Sequence, residues 1–153
     1  MAVEVHSISN GKGLRFLYSD VLRHEEYIQA NGILIQNPAY AQARFCIVDA
    51  LQVTEQIISK QEIHTSAERS KQRSESTPKF IVAVLAGSNL SYGLARMWEV
   101  LADVSPWSIR IFNQQEADSA YDWLQKKYQS LFDESLDNFD LTEVLVPKIV
   151  LED

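Results

Sequence analysis

The chain has 153 residues, 46% of them apolar and 23% charged, with a formal net charge of −7. A single domain of this length buries about two-thirds of its unfolded surface, so it needs no disulfide framework or structural metal to hold a core. The acidic balance disfavours nucleic acid as a partner, and no apolar run approaches the roughly 20 residues that a membrane-spanning helix requires.

The single cysteine, Cys46, leaves no intrachain disulfide and fits a cytoplasmic setting. Met1–Asn10 lacks the basic and apolar regions of a secretory signal, so none is expected.

Val3–Ser9 alternates apolar and polar residues and predicts a first strand. Asn10-Gly11-Lys12-Gly13 predicts a turn, and Leu14–Ser19 the second arm of a hairpin. Within His24–Gln36, Tyr27, Ile28, Asn31, Leu34 and Ile35 recur at helical spacing, and Asn37-Pro38 ends that helix. Phe45–Asp49 is short and almost wholly apolar, the pattern of a strand covered on both faces. A loop over Asp49–Ser59 follows. Ser59 and Glu62 then form a capping box at the start of a polar helix over Ser59–Arg73, whose inward stripe is only Ile63 and Ala67. Ser70–Pro78 reads as a polar linker.

Phe80–Ala86 is the clearest strand signal. Ser88 or Asn89 can cap the next helix, whose stripe is Leu90, Leu94, Met97, Trp98 and Leu101. Pro106 breaks it, and Trp107–Phe112 alternates as a last core strand. Gln115–Phe132 is a long helix with Ala117, Ala120, Tyr121, Leu124, Tyr128 and Leu131 on one face. The segment from Asp133 onward is acidic, yet Leu141–Leu151 is too apolar to float free. It should pair as an edge strand or dock on a neighbour, so a homodimer is a reasonable expectation.

Buried strands alternating with helices predict an α/β domain over 1–133, with a mixed sheet of about five strands, an N-terminal antiparallel hairpin and about four helices. Residues 134–153 read as an extension that packs on the domain or on a partner subunit.

The order strand, strand, helix, strand, helix, strand, helix, strand, helix resembles the STAS-like superfamily, and within it the SpoIIAA-like branch of bacterial proteins. Three stretches carry the likeness: Phe45-Cys46-Ile47-Val48-Asp49, Tyr92-Gly93-Leu94-Ala95-Arg96-Met97, and Ile109-Arg110-Ile111-Phe112 followed by Glu116-Ala117 and Trp123-Leu124. It covers roughly Leu14 to Leu131. The resemblance implies a regulatory domain switched by phosphorylation of a serine near the position of Ser59. The D-S-S-G run of such switches is absent, and the segment reads Gln56-Ile57-Ile58-Ser59-Lys60. The branch is also similar to lipid-carrier folds, which hold an apolar ligand beneath their helices.

The candidate binding residues are Asp49 at a strand end, Thr54 in the following loop, Ser59 as cap and phosphosite, and Tyr92 with Arg96 on one helical face. His6, His24, His64 and Cys46 have no ligand-type spacing, so neither metal nor cofactor is expected, and no catalytic motif stands out. The leading expectation is a non-enzymatic regulatory module that binds a protein through the Asp49–Ser59 loop, the polar helix and the Tyr92–Arg96 surface. Its competitor is a carrier of a small apolar molecule, with a pocket between the sheet and the Leu90–Leu101 helix and Tyr92 and Arg96 at its mouth. An enzyme with a dispersed site is the third class. A module predicts a filled core, a carrier predicts a cavity of a few hundred Å³, and an enzyme predicts clustered titratable groups with perturbed pKa values.

Overall fold

Turn chemistry closes the hairpin first. β1 (Ala2–Ile8) and β2 (Gly13–Arg23) pair antiparallel across a turn in which Ser9, Asn10 and Gly11 take φ of 53°, 56° and 84°. Asn and Gly tolerate the left-handed region. Ser9 is buried there, its N–H donating to the Asp140 carbonyl at 3.0 Å and its hydroxyl to the Asn138 carbonyl. The structure is a computed structural model that describes residues 2–102, 106–136 and 138–150.

β3 (Phe45–Ile57), β4 (Ile81–Ala86) and β5 (Ser108–Phe112) continue parallel to β2, and β6 (Leu141–Val150) pairs antiparallel with β1. The result is an α/β architecture on a six-stranded mixed sheet in the order β5-β4-β3-β2-β1-β6. The expected hairpin is present, but β1 is an inner strand because the apolar tail takes the edge beyond it. Among the described residues five α-helices accompany the sheet: α1 (His24–Leu34), α2 (Pro38–Gln42), α3 (Lys60–Ser76), α4 (Asn89–Leu101) and α5 (Ser119–Phe132). The unexpected one is α2. Asn37, three residues past the end of α1, caps α2, its side chain accepting the Ala39 N–H at 3.0 Å, and Pro38 sits in the first turn, where a missing N–H costs nothing.

Two segments read as irregular are regular. Leu51–Ile57 is a strand because Ser19–Arg23 runs alongside it and supplies hydrogen-bonding partners. α3 continues through the expected linker to Ser76, with Ser70, Ser74 and Ser76 donating their hydroxyls to the carbonyls of Ser66, Lys71 and Arg73.

The strand order decides where the helices lie. β2, β3, β4 and β5 step across the sheet in sequence order, so crossovers of one hand stack on one face. α1, α2 and α4 accordingly pack over Phe16, Cys46, Val82 and Ile111, while α5 covers the opposite face through Ala120, Leu124 and Tyr128. The chain then returns from α5 to β6. Glu134 is gripped on the way by Lys12 and by Arg44, whose Nη1 lies 2.9 Å from Oε2 and 2.7 Å from the Tyr128 hydroxyl.

Strand length sets the height of the helical layer. β3 has 13 residues and β4 has 6, about 43 Å against 20 Å of strand. Beyond Ala50, β3 pairs with β2 alone, and the two form an arm that stands clear of the sheet. α3 starts at the tip of that arm and runs back for 17 residues, about 25 Å, leaning on α4.

Candidate functional site

Because α3 descends from the arm, it bridges over the sheet and leaves space beneath. The inward side of this helix cannot fill that space. Ile63 and Ala67 are buried, but the other residues that line the space from this helix are polar or charged, Ser66, Ser70 and Arg73 among them. The result is a cavity of about 780 Å³ between the sheet, α1, α3 and α4.

Its floor is the alternating face of three parallel strands. Phe16 and Tyr18 come from β2, Cys46 and Val48 from β3, and Val82 and Val84 from β4. The period of two in each strand delivers these side chains to one face. Tyr27 and Ile28 of α1, with Ile35 just past its end, form one wall, and Leu94, Ala95 and Trp98 of α4 the other. Tyr40, Phe80 and Trp107 close one end. Arg73 stacks on these three rings, with its guanidinium carbon 3.9, 4.6 and 5.8 Å from their centroids, and Nη2 donates to the Tyr40 carbonyl at 3.3 Å. The Trp107 indole N–H donates to the Thr77 carbonyl at 2.7 Å.

Phenol and thiol groups on the floor and at the closed end are held neutral. Burial pushes the Tyr18 and Tyr40 hydroxyls above their ordinary range and the Cys46 thiol up to about 12. A thiol so displaced is a weak nucleophile because the thiolate is the reactive form. Cys46 in the folded protein should therefore resist iodoacetamide at mildly alkaline pH and react at the rate of a free thiol in urea. Rapid alkylation of the native protein, followed by mass spectrometry, would contradict this.

The five sequence candidates lie elsewhere. Val48 and Ala50 line the cavity, so Asp49 points to the opposite face, where it is 5% exposed. There it accepts from Arg15 Nη2 at 2.7 Å and from the Leu51 N–H at 3.1 Å, which makes it a tie between β2 and β3. Thr54 is exposed on the arm. Arg96 is exposed and pairs with Glu99 on the outer face of α4, and Tyr92 packs against the core beside the cavity without lining it. The expected mouth at Tyr92 and Arg96 is thus on the wrong side of the helix. α4 turns Ser91, Leu94, Ala95 and Trp98 inward and leaves Leu90 59% exposed.

Ser59 is the cap of α3. Its hydroxyl accepts the Glu62 N–H at 3.1 Å, and Glu62 Oε1 accepts the Ser59 N–H at 2.8 Å. That backbone donor is the main reason the Glu62 pKa is lowered. A lowered folded pKa contributes stability above the ordinary carboxylate range, and that contribution is lost as pH falls through the lowered value. Ser59→Ala should cost about 1 kcal/mol, a drop of roughly 2–4 °C in Tm. Glu62→Gln should flatten the acid limb of the Tm-against-pH curve. An unchanged acid limb would refute the assignment.

The residues that sequence reasoning missed are the cavity lining, above all Tyr18, Tyr27, Trp98 and Arg73. One usable signal was the serine spacing in the polar helix, where Ser66 and Ser70 stand four apart on the side that should be apolar. No helix among the described residues is long and apolar enough to cross a membrane, and none of their His, Cys, Asp and Glu side chains form a group of three or more placed to hold a metal ion. No protein-family model matches the chain, and comparison with the curated proteins and with the solved structures gives no match.

Proposed function

We propose that this chain is a non-enzymatic binder or carrier of a small apolar molecule, held in the cavity under α3. The cavity carries the reading. Its 780 Å³ falls within the roughly 300–1,000 Å³ of small-molecule sites, and an aromatic and aliphatic floor with a few polar groups at the rim is their usual composition. Protein interiors are otherwise close-packed, with few voids larger than a water molecule. A scaffold that served only to dock a partner gains nothing from such space.

The order of elements from β1 to α5 supports the STAS-like reading of the fold, and the cavity agrees with the likeness of the SpoIIAA-like branch to lipid carriers. The neutral Tyr18, Tyr40 and Cys46 groups favour binding over chemistry. Docking of a protein partner is a second reading. It draws on Ile57 and Leu90, 50% and 59% exposed, which flank the contact between Gln56 and Ser91 near the tip of the arm.

Native mass spectrometry tests the first reading. The freshly purified chain, or the chain incubated with a fatty alcohol, should carry one non-covalent adduct that leaves on denaturation. A chain that stays unliganded through such loading is not a carrier.

A further inference from the structure

We infer that the ligand is an anionic amphiphile, an apolar tail on the sheet with a carboxylate or phosphate head beneath α3. This rests on the cavity being a binding site and adds the sign and place of the head group.

The charged lining of the cavity opposes the charge of the chain. The protein carries −7 overall, yet the charged side chains that α3 contributes are Arg69, Arg73 and Glu62. Glu62 is occupied at the helix start by the Ser59 N–H. Two guanidiniums against that one carboxylate leave an excess of positive charge over a pocket whose floor is apolar.

The two arginines stand four apart on α3, so they share one helical face. Like charges at that spacing destabilise a helix, and an anion between them reverses the sign of the interaction. Stacking also prepares Arg73 as a receptor. The rings of Tyr40 and Phe80 hold its planar face, and the Tyr40 carbonyl takes one N–H, so the other N–H edges remain for an acceptor at the cavity end. Ser66 lines the same helix wall and adds a hydroxyl donor, while the Ser70 hydroxyl, its proton held by the Ser66 carbonyl, adds a polar surface. Glu68, the next carboxylate on α3, lies outside the lining and is paired with Lys71. The polar wall and apolar floor together match a molecule with one anionic end and one hydrocarbon end.

Displacement of the neutral dye Nile red from the full chain tests this. The competitors are dodecanoate, dodecyl phosphate, dodecanol and dodecyltrimethylammonium, each kept below its self-association range. At least one of the two anions should displace the dye at about tenfold lower concentration than dodecanol, the scale of one charge-assisted hydrogen-bonded pair, and the cation should be weakest. Which anion is stronger distinguishes a carboxylate from a phosphate head. Arg69→Gln, at the exposed rim where folding is not at stake, should bring the anions to within about threefold of dodecanol, each potency being read against the variant's own Nile red affinity. Equal potency of all four competitors would overturn the anionic head and leave the cavity reading standing. Failure of Nile red to bind at all would overturn both.

Discussion

Introducing phenylalanine at Val48 and Ala95 together should abolish ligand binding without lowering stability. Val48 lies mid-strand on the floor, in register with Phe16 on one side and Val84 on the other, and Ala95 stands on the α4 wall. In a filled core such enlargements cost about 1–3 kcal/mol each, because neighbours are forced off their rotamers. Here both rings enter open space. The added apolar surface is buried at roughly 25 cal/mol per Å², so the double variant should unfold in urea at the wild-type midpoint or above it. Loss of stability comparable to core overpacking would mean that the space is not open in solution. Retained stability with lost binding is the usual trade between a functional void and a filled one.

Phe45→Ala should be the most damaging single substitution outside the cavity, at about 3–5 kcal/mol. That is a large share of the roughly 5–15 kcal/mol that holds a domain together. Phe45 is 0% exposed, and its ring meets those of Tyr128 and Phe139 edge-on at 6.1 Å between centroids. It also lies directly over Gly13, its partner in the β2–β3 register. A Cβ at Gly13 would come within 2.1 Å of the Phe45 ring, so Gly13 is required by close approach. Gly13→Ala should therefore destabilise strongly by itself, and adding Phe45→Leu should recover part of the loss. Urea denaturation of the four species gives the coupling, expected at about 1–3 kcal/mol. Strict additivity would contradict the packing described.

Most strands and helices were legible because each is stated by local chemistry. Phe80–Ala86 is apolar throughout and becomes the fully buried β4, and Ser59 with Glu62 announces the cap of α3. The errors lie where a partner decides. Leu51–Ile57 carries Gln52, Thr54 and Glu55, which read as loop, yet the chain extends because Ser19–Arg23 offers a ladder. Serines end a helix in sequence statistics, but Ser70, Ser74 and Ser76 bond back into α3, and Arg73 pins its last turns to three aromatic rings.

The site was less legible than the fold. Asp49, Thr54, Ser59, Tyr92 and Arg96 stand out in the sequence only by position in a pattern, and none of them lines the cavity. A void is a property of volumes contributed by distant segments. It depends on the length by which β3 outruns β4, on the small side chains Ala50, Ala86 and Ala95, and on a helix too polar to sink onto the sheet. No window of sequence holds all three.

The most direct test of the central claim is an equilibrium titration of the chain with Nile red, exciting the tryptophans. Trp98 and Trp107 both line the cavity, so a dye bound there should quench their emission as its own shifts to the blue. One saturable site per chain is expected, with loss of both signals in the Val48→Phe, Ala95→Phe double variant. Non-saturating uptake, or a titration that the double variant leaves unchanged, would place the dye on the surface and contradict the account.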